Sequence, residues 1–113
     1  MTNIPFFSVV IPLYNRADVV TDTIRSVLAQ DWSDFEIVVV DDGSHDNPGP
    51  VIEAIGDPRL RYIRQDNAGG GAARNRGILA AEGRYIAFLD SDDLFLPGKL
   101  STMAEALAGD GGR

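Results

Sequence analysis

The sequence contains no cysteine, which excludes a disulfide scaffold, a thiolate metal site and a cysteine nucleophile. Its only histidine is His45, so a His-rich zinc site cannot be built. There is no run of basic residues, because nine of the ten are arginines scattered along the chain. Seventeen acidic residues bring the formal charge to −7. Such a surface repels a phosphate backbone, so we expect no nucleic-acid partner.

A long apolar segment is also missing. The longest apolar stretch near the start runs from Ile4 to Tyr14, and Pro5, Ser8 and Pro12 interrupt it. It is too short to span a bilayer and has no basic leader, so we expect no membrane segment in this chain. The expected location is the cytoplasm, or the inner face of the membrane in a longer protein.

The apolar and charged fractions, 44% and 24% of 113 residues, are those of an ordinary globular protein. We therefore interpret residues 1–113 as a single domain and expect residues 109–113, which are polar and Gly-rich, to be frayed.

The apolar residues alternate between two patterns. Near-continuous apolar runs at residues 6–13, 35–40 and 85–89 are typical of strands buried on both faces of a parallel sheet. A weaker strand is predicted at residues 60–63. Helical spacing follows each strand, at residues 20–28, 51–55, 72–81 and 100–107, and Asn15 is predicted to cap the first helix. The order β-α-β-α-β-α-β-α predicts an α/β fold with a mostly parallel sheet.

Acidic residues cluster where two predicted strands end. Asp41 and Asp42 follow the second strand, and Asp90, Asp92 and Asp93 follow the fourth. Because parallel strands end at the same edge of a sheet, up to five carboxylates are expected to face one crevice. Their repulsion favours a hard divalent cation, Mg²⁺ or Mn²⁺, held by the D-x-D pair. The alternative is that these acids only cap helices and form turns.

The glycine-rich segment Gly69–Gly71 precedes a predicted helix that contains Arg74. Glycines allow the backbone to approach a ligand, and a helix N-terminus attracts anions. The segment is neither a P-loop nor a G-x-G-x-x-G motif. The alternative is a flexible turn followed by a solvated arginine.

Three segments carry a family resemblance, in order along the chain. They are SVVIPLYNR (residues 8–16), IRSVLAQDWSDFEIVVVDDGSHD (24–46) and NAGGGAARNRGILAAEGRYIAFLDSDDLFLPGKL (67–100). Together they cover nearly the whole chain and resemble the family 2 inverting glycosyltransferases. The resemblance implies the GT-A fold, with its Rossmann-like nucleotide-binding half, and a nucleotide-activated sugar as substrate.

The resemblance also implies roles for single residues around the nucleotide base. Pro12 and Tyr14 match first-strand positions that border the base. Asp42 matches the position that commonly reads the edge of uracil. Asp41 matches its neighbour, which is structural or lies beside the ribose.

Further positions match the phosphate end of the family's site. Arg74 and Asn75 match the motif beside the base and the phosphates. Asp90 and Asp92 match the D-x-D pair, with Asp92 as the metal ligand and Asp90 nearer the ribose. The implied cofactor is Mn²⁺ or Mg²⁺.

The implied reaction is an inverting transfer from a nucleoside diphosphate sugar, with a UDP-sugar as the expected donor, to a hydroxyl of a glycan, lipid or protein. The family's catalytic base lies well past the D-x-D pair, and no residue here matches it. We therefore interpret the chain as a truncated domain, the donor-binding half. The alternative is a non-catalytic nucleotide- or metal-binding module. A half-domain would expose a sheet edge, so self-association is expected.

Overall fold

Four parallel strands alternate with four helices over residues 4–109, the part of the chain that the computed structural model describes. The strands are β1 (Phe7–Leu13), β2 (Phe35–Asp42), β3 (Leu60–Gln65) and β4 (Tyr85–Phe88). The helices are α1 (Val20–Leu28), α2 (Gly49–Glu53), α3 (Gly70–Ala80) and α4 (Lys99–Gly109). The sheet order is β3-β2-β1-β4, which confirms the predicted α/β class. Apart from Gly109, the last residue of α4, the expected frayed tail lies outside the described residues.

The two central strands are buried on both faces, as their apolar runs predict. Val9 pairs with Ile37 and Ile11 with Val39, and this face packs in one core with residues of α1 and α4. Val10 and the β2 valines on the opposite face pack against Ala73 of α3. The central strands therefore separate two apolar layers, and their carboxyl ends are adjacent.

The edge strand β4 is covered on one face only, so the prediction of a fully buried fourth strand is wrong. Tyr85 and Ala87 pack against the core, whereas Ile86 and Phe88 are 38% and 46% exposed. The reason is that β4 lies at the edge of the described sheet. Among the described residues β4 has β1 as its single neighbour, and α3 packs over β1 and β2.

The predicted cap of α1 is also wrong. The helix begins at Val20, five residues after Asn15, and no side chain caps it. Asn15 has a φ of 52°, in the left-handed region that asparagine tolerates. Its backbone N–H donates to Ser44 Oγ (2.9 Å), and its Oδ1 accepts from the His45 N–H (2.8 Å). Asn15 therefore joins the loops that follow β1 and β2.

A buried carboxylate joins the strands at the opposite end of the sheet, and the sequence analysis did not find it. Glu36 Oε2 accepts from Ser8 Oγ and from the Glu82 N–H, both at 2.6 Å. Its Oε1 accepts from Arg61 Nη1 at 2.7 Å. Burial alone would raise the pKa of Glu36, but these hydrogen bonds and the arginine charge outweigh it and lower the pKa. Glu36 thus anchors the α3–β4 connection.

Helix α3 lies close to the sheet because Gly77 has no side chain. A Cβ at this position would be 2.3 Å from Val10 Cγ1, far inside van der Waals contact. The helix also starts two residues earlier than predicted, so part of the expected glycine turn forms its first turn. Gly69, with a φ of 102°, precedes it in a conformation that favours glycine.

We predict that Gly77→Ala lowers the free energy of unfolding by about 1 to 3 kcal/mol, because the added methyl overpacks the contact with β1. Gly71→Ala is the matched control, since a Cβ at Gly71 meets nothing within 4 Å. This control should be neutral or stabilising, because alanine favours helix. Urea unfolding of both variants measures the difference, and equal stabilities would contradict the close approach.

In the described part of the chain, no helix combines the length and apolar character that crossing a membrane requires.

Candidate functional site

A cavity of about 350 Å³ opens at the carboxyl edge of the sheet, beside the N-terminus of α3. Parallel α/β sheets bind their ligands at this edge. Eight of the residues singled out in the sequence line it: Pro12, Tyr14, Asp42, Gly69, Gly70, Arg74, Asp90 and Asp92. The structure thus brings together residues from the ends of β1, β2 and β4 and from α3.

Asp42 lines the cavity and also holds in place the loop that forms part of the cavity wall. Its Oδ1 accepts from Gln65 Nε2 (2.9 Å) and the Ala68 N–H (2.8 Å), and its Oδ2 accepts from the Gly69 N–H (2.9 Å). Burial would raise the pKa of Asp42, but these three hydrogen bonds outweigh it and lower the pKa. An ionised Asp42 therefore holds the β3–α3 loop against the end of β2.

Asp41 does not line the cavity, because successive side chains of a strand point to opposite faces. It is fully buried, and its Oδ1 accepts from the Ser44 N–H at 2.9 Å. Its Oδ2 accepts from the Tyr62 hydroxyl and from Arg64 Nη1. Burial would raise the pKa of Asp41, but the bonds from Ser44 and Tyr62 and the charge of Arg64 lower it. Burial and the hydrogen bond to Asp41 raise the pKa of Tyr62 to about 12.

The structure places two other residues singled out in the sequence, Asn75 and Asp93, outside the cavity. Asn75 is exposed on α3 and does not line the cavity, although Arg74 beside it does. The Asp93 carboxylate accepts from the Leu94 N–H (2.9 Å), and Asp93 lines a separate groove next to Phe88. The expectation that up to five carboxylates share one crevice is therefore corrected to three. Strand alternation directs Asp41 to the opposite face, and a local turn holds Asp93 outside the cavity.

The D-x-D carboxylates are exposed, and each lies beside an arginine. Arg74 Nη2 is 3.8 Å from Asp90 Oδ1, and Arg16 Nε is 3.9 Å from Asp92 Oδ2. Their side chains are 66% and 60% exposed, so solvent screens both pairs and each contributes little. These carboxylates and guanidinium groups are therefore available to a ligand.

The residues present fit a divalent cation only as part of a shared coordination shell. Asp90 and Asp92 supply carboxylate oxygens, which hard cations prefer. Within residues 4–109, however, no three acidic or histidine side chains are grouped closely enough to hold a metal ion. Phosphate oxygens and water would have to complete the shell. The donor set therefore fits a cation that arrives with a phosphate ligand.

Three further polar residues line the cavity to which the sequence analysis gave no role in the site: Arg16, Asn67 and Ser91. The Ser91 carbonyl accepts from Thr23 Oγ1 at 2.8 Å, which holds the D-x-D turn against α1. Thr23 is a buried polar residue on the apolar face of α1. A threonine at such a position was the one feature of the sequence that could have indicated this contact. Tyr14, 44% exposed, stands at the rim.

The structure is a parallel α/β fold with a cavity at the carboxyl edge of its sheet, where a helix N-terminus and two arginines lie beside exposed carboxylates. Such an arrangement is suited to an anionic ligand. Comparison with known proteins identifies the family. The model of the family described as Glycosyl transferase family 2 matches residues 8–112, so the chain belongs to glycosyl transferase family 2.

Relatives and solved structures agree with this assignment. The succinoglycan biosynthesis protein ExoO of Rhizobium meliloti is 48% identical over 90% of this chain and 30% of its own length. S. aureus TarS 1–349, solved in complex with UDP-GlcNAc, has a TM-score of 0.86 at 34% identity over 91% of this chain and 31% of that one.

The mannosyltransferase PcManGT of Pyrobaculum calidifontis, in complex with GDP-Man and Mn²⁺, has a TM-score of 0.84 at 26% identity over 95% of this chain and 33% of that one. These neighbours confirm the GT-A type of fold. The chain spans about a third of the length of the three proteins named here.

We predict that Asp41→Asn lowers the free energy of unfolding at pH 7 by about 2 kcal/mol, since hydrogen bonds to a buried charge are lost. The folded-state pKa of Asp41 is lowered. Its contribution is therefore present above the unfolded pKa of about 3.9 and is lost as the pH falls through the folded pKa. The difference between wild type and variant should shrink over that acidic range.

Denaturant unfolding at a series of pH values measures this effect. Asp66→Asn, at an exposed position, is the control and should follow the wild-type profile. A difference between wild type and Asp41→Asn that does not change with pH would contradict the role of the charge.

Proposed function

We propose that this chain binds a nucleoside diphosphate sugar, with a UDP-sugar as the donor, in the cavity at the carboxyl edge of the sheet. The observation that carries the proposal is the convergence of Tyr14, Asp42, Arg74 and the Asp90–Asp92 pair on one cavity. These residues come from four separate parts of the chain. The structural neighbours solved with UDP-GlcNAc and with GDP-Man support the same ligand class.

The base is proposed to lie between Tyr14 and Asp42, with Pro12 as part of the floor. An exposed aromatic ring at the rim offers a stacking surface. A carboxylate has about four acceptor positions, and three on Asp42 are taken by short hydrogen bonds. The fourth acceptor position has only a long contact, 3.4 Å, with Asn67 Nδ2. An N–H group of the base would take the place of that contact. Asp41 supports this arrangement from behind the strand.

The diphosphate is proposed to lie between the N-terminus of α3 and the two arginines. Arg74 and Arg16 carry the positive charge that an anion needs on this acidic chain. Asp92, with Asp90, would hold Mn²⁺ or Mg²⁺. A cation bound there would neutralise the diphosphate and stabilise it as a leaving group. The loose contacts between the arginines and the carboxylates would be exchanged for contacts to the ligand.

The reaction proposed for the whole protein is an inverting transfer. An acceptor hydroxyl oxygen attacks the anomeric carbon, the bond from that carbon to the diphosphate oxygen breaks, and a base takes the hydroxyl proton. The chain spans about a third of its named relatives, and the family resemblance assigns the base to none of its residues. The role proposed for residues 4–109 is therefore donor binding, and the acceptor is a hydroxyl of a glycan, lipid or protein.

We predict that UDP binds to the purified chain in the presence of Mn²⁺ and that Asp92→Asn weakens this binding at least about tenfold, or 1.4 kcal/mol. The physical reason is the loss of a carboxylate ligand to the cation that bridges protein and diphosphate. Isothermal titration calorimetry with and without Mn²⁺ measures both effects. GDP in place of UDP tests the choice of base.

Asp93→Asn is the matched control, because Asp93 is one residue away and lies outside the cavity. Its amide oxygen can still accept from the Leu94 N–H, so its UDP affinity should equal that of the wild type. Equal losses in both variants, or no UDP binding by the folded wild-type chain, would count against the proposed site.

A further inference from the structure

The loop that follows β1 is bonded to the loop that follows β2 through three hydrogen bonds. The Asn15 N–H donates to Ser44 Oγ (2.9 Å), and Asn15 Oδ1 accepts from the His45 N–H (2.8 Å). The Ala17 N–H donates to Asp46 Oδ2 (2.9 Å). These three hydrogen bonds, the loop bridge, connect segments that are 29 or 30 residues apart in the chain.

One side of the loop bridge is anchored in the protein interior. Ser44 is 3% exposed, its N–H donates to Asp41 Oδ1 (2.9 Å), and its carbonyl accepts from Arg64 Nη2 (3.0 Å). Asp41 is itself fully buried. Moving Ser44 would leave these buried groups without partners, which is costly. The second loop is therefore a rigid support to which the first loop is attached.

The other side of the loop bridge carries Tyr14, which lies beyond the end of the strand ladder. The pairing of β1 with β2 ends at Leu13, opposite Asp41. The Tyr14 ring lies edge-on to the His45 ring, with 6.4 Å between the ring centroids and an interplanar angle of 75°. His45 therefore contacts Tyr14 through its ring and Asn15 through its backbone N–H.

Asn15 combines two properties that this loop requires. Its φ of 52° lies in the left-handed region, which glycine, asparagine and aspartate adopt most readily. Its Oδ1 supplies the acceptor for His45. Asn15 itself does not line the cavity at the carboxyl edge, whereas both of its neighbours, Tyr14 and Arg16, do.

We propose that Asn15 is a positioning residue for the nucleotide base, because it holds the Tyr14 ring in place before the ligand binds. This inference rests on the proposed function, which places the base beside Tyr14. A ring that is already ordered loses little conformational entropy when a base stacks on it. Without the bond from His45 to Asn15 Oδ1, part of the binding free energy would be spent on ordering Tyr14.

Isothermal titration calorimetry of UDP into the purified chain with Mn²⁺ tests this role. Asn15→Gly keeps the left-handed conformation accessible but removes the acceptor and frees the backbone, so it should weaken UDP binding about tenfold. Asn15→Asp keeps both the conformation and an acceptor oxygen, so its affinity should stay within about threefold of the wild type.

Asn47→Gly is the matched control. Asn47 also has a left-handed φ, 57°, and lies in the loop that follows β2, but it is exposed and does not line the cavity at the carboxyl edge. The same change from asparagine to glycine at this position should leave the UDP affinity equal to that of the wild type.

A double-mutant cycle with Tyr14→Ala separates positioning from a general loss of structure. If Asn15 acts through Tyr14, Asn15→Gly should weaken UDP binding less than about twofold once the ring is absent. Amide hydrogen exchange gives a readout without ligand. The His45 N–H should exchange slowly in the wild type and in Asn15→Asp, and faster in Asn15→Gly.

The outcomes distinguish this inference from the function on which it rests. A folded wild-type chain that binds no UDP would overturn both. If the wild type binds UDP, three results would overturn the positioning role alone. They are an unchanged affinity in Asn15→Gly, an equal loss in Asn15→Asp, and a loss that persists in full in the Tyr14→Ala background.

Discussion

The hydrogen bonds that Asp42 accepts are the interaction on which the candidate site depends. This carboxylate stands at the end of a central strand and binds the backbone N–H groups of Ala68 and Gly69. It thereby determines where α3 begins and places the helix N-terminus and Arg74 beside the cavity. Gly77 completes the arrangement, because it lets the same helix close onto β1.

The acidic residues of the site divide into two groups with different physical roles. Asp41 and Asp42 are buried, their oxygens accept several hydrogen bonds, and their pKa values are lowered. They are preorganised and hold the loops in place. Asp90 and Asp92 are exposed and only loosely paired with arginines. Two buried carboxylates that hold the loops thus lie next to two exposed carboxylates that can exchange their arginine partners for a ligand. Binding of a metal-associated anion requires both kinds of carboxylate.

The strand that carries the D-x-D pair is also the least covered strand of the sheet. β4 has four residues, one strand neighbour among those described, and an apolar face that α3 does not cover. Asp90 follows this strand directly, and its carboxylate lies 3.8 Å from Arg74 of α3.

The sequence by itself determined the alternation of strands and helices, the burial of the central strands and the edge of the sheet at which the candidate site residues lie. The strands and helices follow from the spacing of apolar residues along short segments. The position of the candidate site follows from the alternation of strands with helices, because parallel strands all end at the same edge of the sheet. The tertiary structure decided the rest. Asp42 and Asp41 look alike in sequence, but only the packing of α3 on one face shows which of them meets the cavity. Asn15 was predicted to cap a helix and instead joins two loops, because its partners Ser44 and His45 lie about thirty residues away along the chain. Contacts over such distances depend on how the layers pack, and no local pattern encodes them.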